Sequence, residues 1–140
     1  MSQRLIFYGS LKDLDRFYEI TGYKPSSVRY GFVRGDLYEV TDYTEPRGIH
    51  KYPILVPAEG TNVVISIEIT LWLKPAQQKI LWTKLDEFEG SLYRKQTITF
   101  YPFLGNASHG TAYIARSADL HGKMNIAKLI PVSTVYLWSS

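Results

Sequence analysis

Residues 62–73 carry the clearest strand pattern in the chain and constrain its fold most strongly. Apolar residues alternate there with a mixed set that includes Ser66, Glu68 and Thr70. A period of two places successive side chains on opposite faces of a sheet, so the pattern predicts a half-buried strand over Asn62–Leu73. Its apolar face would be formed by Val63, Ile65, Ile67, Ile69 and Leu71.

The remaining elements are short and are separated by proline and glycine. Strands are predicted at Arg4–Phe7, Phe32–Val40, Gln96–Tyr101 and Gly110–Arg116, with a further candidate at Ser133–Trp138. Helices are predicted at Lys12–Thr21 and from Pro75 to a stop at Gly90. Thr41–Gly60 contains three prolines and two glycines, and is expected to be an irregular crossing that supplies a pocket wall. We therefore expect an α+β fold, a mixed sheet curled toward a barrel with two or three helices.

Size and composition fit one compact domain over residues 1–140, because 45% hydrophobic and 14% aromatic residues supply a core. No stretch approaches the roughly 20 apolar residues of a membrane span, and the N-terminus lacks a leader pattern. The interpretation is a cytoplasmic protein without membrane contact. The absence of cysteine excludes disulfides, thiolate nucleophiles and cysteine-bound metal.

Charge and histidine spacing argue against two further classes of function. The net charge is +3, but the lysines and arginines are spread along the chain, so nucleic-acid binding is not expected. A diffuse positive field favours small anionic substrates. His50, His109 and His121 lie far apart without the spacing of a zinc site, and no metal is expected.

The end of the second helix is a candidate for acid/base chemistry. Asp86, Glu87 and Glu89 put three carboxylates within four residues, beside Phe88 and Gly90. A glutamate in the last helical turn is usually a solvated surface residue. Here the negative helix end and the neighbouring carboxylates would raise the pKa of Glu89, which suits proton transfer near neutrality. Arg94 would oppose this shift if it paired with Glu89.

A second candidate follows the first strand. A Gly-Ser pair after a strand is most often only a turn. The functional interpretation is an anion cradle of successive backbone N–H groups, with Gly9 permitting close approach and Ser10 adding a hydroxyl donor. The four residues concerned are Tyr8, Gly9, Ser10 and Leu11.

These segments resemble the gamma-glutamylcyclotransferase-like proteins, in particular the branch with the AIG2-like proteins and gamma-glutamylamine cyclotransferases. Tyr8–Leu11 is similar to the family's YG[ST]L motif, and residues 85–94 are similar to its LDxxEG…YxR segment. Weaker matches follow in the expected order. They are Gly35–Tyr38, Tyr52–Leu55 and Thr111–Ile114.

The resemblance implies a small mixed barrel with flanking helices and a cofactor-free reaction. A substrate carrying an L-gamma-glutamyl group would cyclise to 5-oxoproline and release an amine or amino acid. Glu89 would act as general acid/base, while Gly9, Ser10 and Leu11 would hold the alpha-carboxylate or stabilise oxyanion charge. Tyr8 and Tyr93 would shape the pocket.

Two other functions stay open at this point. The same barrel pocket could hold an anionic metabolite or nucleotide without chemistry, because a shared fold does not secure a shared reaction. A basic interaction protein for RNA or another protein is the third possibility. We expect a monomer or weak homodimer. Glu68, His109 and Tyr113 are left as residues that could line the pocket, although Glu68 on a polar strand face is more often solvated.

Overall fold

In the described part of the chain, eight strands form one sheet, and five of them close into a barrel. The computed structural model describes residues 2–42, 50–58, 60, 62–90, 93–116, 126–129 and 135–138. The strands are β1 (Ser2–Phe7), β2 (Ser27–Asp42), β3 (His50–Pro57), β4 (Val63–Trp72), β5 (Tyr93–Pro102), β6 (Ser108–Ala115), β7 (Ile126–Leu129) and β8 (Val135–Tyr136).

Strand pairing closes the ring. Neighbours follow the order β2, β5, β6, β1 and β4, and an additional pairing of β4 with β2 completes the barrel. The β1–β6 pair is parallel, whereas the other four barrel pairs are antiparallel. Outside the ring, β3 and β7 pair with β2, and β8 pairs with β4. The predicted small mixed barrel is confirmed.

Two α-helices of the described residues flank the barrel, and both end where the sequence predicts. A 3₁₀ turn at Ser10–Lys12 precedes α1 (Leu14–Thr21), so the predicted first helix is divided in two. The carboxylate of Asp13 caps α1 by accepting from two backbone N–H groups. α2 (Pro75–Glu89) ends at Gly90, whose φ of 79° is a backbone conformation that glycine adopts without strain.

Two apolar clusters hold these elements together. The first joins the helices to the sheet through Phe17 of α1, Leu81 and Leu85 of α2, and strand residues such as Ile69. The second draws members from all five barrel strands and therefore fills the barrel interior. Those members are Ile6, Val33, Val64, Phe100 and Ala112.

The expected irregular crossing contains a strand instead. β3 pairs with Gly35–Asp42 of β2, although it includes Pro53 and Pro57. The backbone N–H of Leu55 points away from β2 and donates to the hydroxyl of Tyr8. Residues 53 and 57 share that orientation, so their missing N–H groups cost no bond to β2. The prediction of an irregular segment was wrong for His50–Pro57; residues 43–49 lie outside the described residues.

β4 also differs from its expected half-buried form. Ser66 and Glu68 are 0% and 2% exposed, so both faces of the strand are buried there. Barrel closure explains the difference, because the polar face of β4 turns into the barrel instead of toward solvent.

The last two strands compare differently with the sequence predictions. β8 covers part of the candidate strand at Ser133–Trp138, whereas β7 was not predicted.

Candidate active site

One cavity of about 300 Å³ brings the two candidate segments together. It opens where the end of β1, the middle of β3 and the end of α2 meet. Every residue that the sequence argument placed in the site lines this cavity. Those residues are Tyr8, Gly9, Ser10, Leu11, Glu89 and Tyr93.

Glu89 is the last residue of α2 and faces the cavity with its side chain mostly buried. Burial raises the pKa of the Glu89 carboxyl to about 7. This direction was predicted from the helix end and the neighbouring carboxylates, but the cause is burial. No residue in the described part of the chain, Arg94 included, forms a hydrogen bond or ion pair with the side chain of Glu89. Its carboxylate is therefore available to a ligand.

The loop after β1 forms the opposite wall. Gly9 lies against β3, and a Cβ at this position would stand 3.0 Å from Cγ of Pro53. Glycine therefore allows the close approach of the loop to that strand. The 3₁₀ turn begins at Ser10, so the first N–H groups of the turn have no partner within it. Such groups favour an anionic ligand.

Three tyrosines surround the glutamate, and their hydroxyls are engaged by protein atoms. Tyr8 donates to the carbonyl of Tyr113 at 2.7 Å, and Tyr93 donates to the carbonyl of Pro53 at 2.7 Å. The Tyr113 hydroxyl donates to Oδ1 of Asp86 at 2.6 Å. Burial raises the pKa of all three tyrosines, with a smaller contribution from the charge of Glu89. They act as neutral, rigid walls.

Some cavity residues were not assigned to the site from the sequence, among them Arg16, Tyr52 and Trp138. Arg16 brings an exposed cation from the first turn of α1, a position that the helix dipole makes unfavourable for positive charge, and this mismatch was a usable signal. Tyr52 comes from β3, within the segment that was predicted to form a wall. Trp138 comes from the C-terminal segment, and nothing in the local sequence connects it with the cavity.

Lys12 connects the N-terminal loop with the C-terminal segment. Its ammonium group donates to the carbonyl of Tyr8 at 2.9 Å and to the carbonyl of Trp138 at 2.6 Å. Burial lowers the pKa of Lys12 to about 8. Lys12 thereby holds Trp138 against the cavity from behind the loop.

The three residues left open by the sequence have different roles. Tyr113 lines the cavity. Glu68 does not line it, and the expectation of a solvated side chain was also wrong, because Glu68 is buried and bonded to Arg29 and Ser108. His109 lies 3.3 Å from the Thr99 hydroxyl in a shallow groove on another part of the barrel.

The described residues contain neither a candidate metal site nor a helix that could span a membrane. Within the described ranges, no three His, Cys, Asp or Glu side chains are grouped in a way that could hold a metal ion. No helix in that part of the chain has the length and apolar character needed to cross a membrane.

The fold is a closed mixed barrel whose cavity places a mostly buried glutamate beside a Tyr-Gly-Ser-Leu turn. The chain belongs to the gamma-glutamyl cyclotransferase, AIG2-like family, which it matches over residues 5–129. The match covers both the loop after β1 and the end of α2.

Solved structures share the fold at low sequence identity. A solution structure from Arabidopsis thaliana is 18% identical with a TM-score of 0.60, over 85% of this chain and 65% of that one. A yeast gamma-glutamyl cyclotransferase specific to glutathione is 12% identical with a TM-score of 0.60, over 81% and 69%. Another gamma-glutamyl cyclotransferase is 13% identical with a TM-score of 0.58, over 94% and 73%. The chain thus spans about two thirds of their lengths. No curated protein matches it.

Proposed function

We propose that this chain cyclises an L-gamma-glutamyl amide to 5-oxoproline and releases a free amine or amino acid, with Glu89 as general acid/base. One observation carries the proposal. The carboxyl of Glu89, whose pKa burial raises to about 7, faces the cavity and has no side-chain partner among the described residues. A group with such a pKa is matched to proton transfer near neutral pH.

The chemistry needs no nucleophile from the protein. The alpha-amine of the substrate attacks its own gamma-carbonyl carbon, and a five-membered ring forms through a tetrahedral intermediate. The bond from that carbon to the leaving nitrogen then breaks. Glu89 accepts a proton from the substrate's alpha-ammonium group and passes it to the departing nitrogen. The second proton that the ring nitrogen loses also goes to the released amine, which leaves as an ammonium ion, so Glu89 ends in its starting state. Holding the chain folded for ring closure contributes a large part of the rate.

The opposite wall of the cavity would hold the negative charge of the substrate. The N–H groups at the start of the 3₁₀ turn and the Ser10 hydroxyl are donors for an alpha-carboxylate or for the oxyanion of the intermediate. Arg16 adds a positive charge at the cavity wall. The aromatic walls formed by Tyr8 and Tyr93 exclude water and confine the glutamyl chain between donors and base.

The proposal is tested by 5-oxoproline release from a panel of gamma-glutamyl amino acids and gamma-glutamyl-epsilon-lysine. Glu89→Gln keeps the shape of the side chain and removes its proton transfer, so we expect turnover to fall by about 100- to 10,000-fold. Glu87→Gln is the matched control, because Glu87 is an exposed carboxylate on the same helical turn. Turnover that survives in Glu89→Gln would exclude this role for Glu89.

The pH profile gives an independent measurement. The base form of Glu89 exists above its pKa of about 7, so kcat/KM should rise with pH up to that value and then level off. A limb near the ordinary glutamate pKa of about 4.3 would contradict the assignment. Absence of turnover on every substrate would favour the alternative, a non-catalytic binder of an anionic metabolite or nucleotide. Native mass spectrometry of the purified protein would then identify the occupant.

A further inference from the structure

A second cavity lies directly beside the candidate active site. It has a volume of about 330 Å³ and shares two wall residues, Tyr93 and Tyr113, with the first cavity. Gly90 also lines it, one residue beyond Glu89. A ligand that reacts at Glu89 and extends past the two shared tyrosines would enter this second cavity, which we call the side groove.

The side groove is rich in positive charge. Three cations line it, namely Arg94, Lys95 and Arg116. Its single carboxylate, Asp86, is already engaged, because Oδ1 accepts from Tyr113 and Oδ2 lies 3.2 Å from the ammonium of Lys95. The groove therefore keeps a net positive charge.

The guanidinium groups of the two arginines, unlike the ammonium group of the lysine, have no partner among the described residues. Lys95 is bonded to Asp86 and lies 4.9 Å from the ring centre of Trp82. Arg94 and Arg116 are exposed, and neither guanidinium group forms a hydrogen bond or ion pair with another residue of the described ranges. β5 and β6 are adjacent antiparallel strands, and Arg94 pairs with Ile114, two residues before Arg116. Both guanidinium groups are available for a carboxylate.

We infer that the side groove binds a carboxylate on the leaving group, so that the substrates are gamma-glutamyl amino acids or peptides rather than gamma-glutamyl derivatives of simple amines. This inference rests on the proposed function. The glutamyl part lies in the first cavity with its gamma-carbonyl at Glu89. The leaving group extends from its nitrogen past Tyr93 and Tyr113. The carboxylate that the leaving group carries binds Arg94 and Arg116.

The test compares two substrates of nearly equal shape, gamma-glutamyl-L-alanine and gamma-glutamyl-L-alaninamide. They differ by one negative charge. We expect wild type to prefer the carboxylate in kcat/KM by about three- to tenfold, the size expected for two solvent-exposed ion pairs. In Arg94→Gln/Arg116→Gln the ratio should fall close to one. Lys79→Gln removes an exposed charge on α2 outside the groove and should keep the wild-type ratio.

Binding provides a readout that does not need turnover. Dissociation constants of both compounds are measured by NMR titration on Glu89→Gln, with and without the two arginine substitutions. Salt is a second perturbation, because the preference of an exposed groove should shrink when ionic strength rises. A preference seen in binding without turnover would refute the enzyme and retain the groove. Equal affinity and equal kcat/KM for both compounds, or a ratio that the arginine substitutions leave unchanged, would overturn the inference.

Discussion

Two glutamates, Glu68 in the barrel and Glu89 at the end of α2, have opposite environments. Glu68, inside the barrel on β4, is 2% exposed, and its Oε1 lies 2.8 Å from a guanidinium nitrogen of Arg29. Ser108 donates to its other oxygen. Glu89, at the end of α2, has no such partner in the described part of the chain, and burial raises the pKa of its carboxyl.

The contrast separates a structural carboxylate from a chemically available one. A buried carboxylate whose two oxygens already accept from protein donors is satisfied by the fold and is closed off from a ligand. A buried carboxyl without partners destabilises the folded state whenever it is ionised, and proteins retain such groups where function needs them. The difference predicts opposite results for the same substitution, glutamate to glutamine, at the two positions.

At Glu68 the substitution should destabilise strongly. Glu68→Gln removes the charge that neutralises Arg29 while leaving the guanidinium beside the barrel interior. We expect a loss of about 2–4 kcal/mol in the free energy of unfolding, measured by urea titration near neutral pH. Glu87→Gln, at an exposed site, should change it by less than about 0.5 kcal/mol. A loss at Glu68 no larger than at Glu87 would remove the distinction drawn here.

At Glu89 the substitution should stabilise instead. The folded pKa of about 7 lies above the unfolded value, so the folded state binds more protons between about pH 4.5 and 7 and loses stability as pH rises through that window. Glutamine has no charge to bury. The free energy of unfolding of Glu89→Gln should therefore exceed that of wild type by about 1–3 kcal/mol near pH 8, and the difference should vanish below about pH 4.

The measurement is urea unfolding of both proteins at the two ends of that pH range. A constant gain at every pH would indicate better packing of glutamine instead of relief from a buried charge. A loss near pH 8 would mean that Glu89 has a stabilising partner, and the comparison with Glu68 would fail.

The local sequence was enough to predict the elements that form the site. Pro75, the apolar spacing of α2 and Gly90 fix where that helix ends, and Glu89 follows from this end. Tyr8–Leu11 lies where the apolar run of β1 stops, which is also a local signal. The position of these two segments at one cavity depends on barrel closure, and the family resemblance predicted that they belong to the same site.

Other features depend on long-range pairing and were not accessible from local patterns. Pro53 and Pro57 led to the prediction of a loop, because proline lacks the N–H that a strand uses for pairing. They fit a strand here only because the register with β2 points their backbone nitrogens away from β2, and that register is not visible in the local sequence. The environment of Glu68 requires Arg29 and Ser108, 39 residues before it and 40 after it. Trp138 reaches the cavity through Lys12, at a separation of 126 residues. Contacts at such distances have no period in the sequence.

Lys12 tests whether the cavity wall depends on hydrogen bonds from a charged donor to backbone carbonyls. Lys12→Met keeps the aliphatic stem and leaves the carbonyls of Tyr8 and Trp138 without their donor. We expect a loss of about 1–2 kcal/mol in the free energy of unfolding, because hydrogen bonds from a charged donor are at stake. Lys12→Arg, which keeps the charge and the donors, should recover part of it. The indole fluorescence of Lys12→Met should also show greater solvent exposure of Trp138.

Tyr93→Phe should have the smallest effect on the free energy of unfolding, and it tests one hydrogen bond of the cavity wall. Its hydroxyl donates to the carbonyl of Pro53, joining β5 to β3 across the site. Tyr93→Phe keeps the ring and removes this bond, so the free energy of unfolding should fall by about 1 kcal/mol. Tyr30→Phe, at a side chain that is 61% exposed, should have almost no effect. Equal effects at both positions would mean that the Tyr93 hydroxyl is no more engaged than a solvated one. A loss confined to Tyr93 would show that the cavity wall, like Glu68, is stabilised by polar groups that have partners. Glu89, whose carboxyl has no partner among the described residues, would then differ from its surroundings.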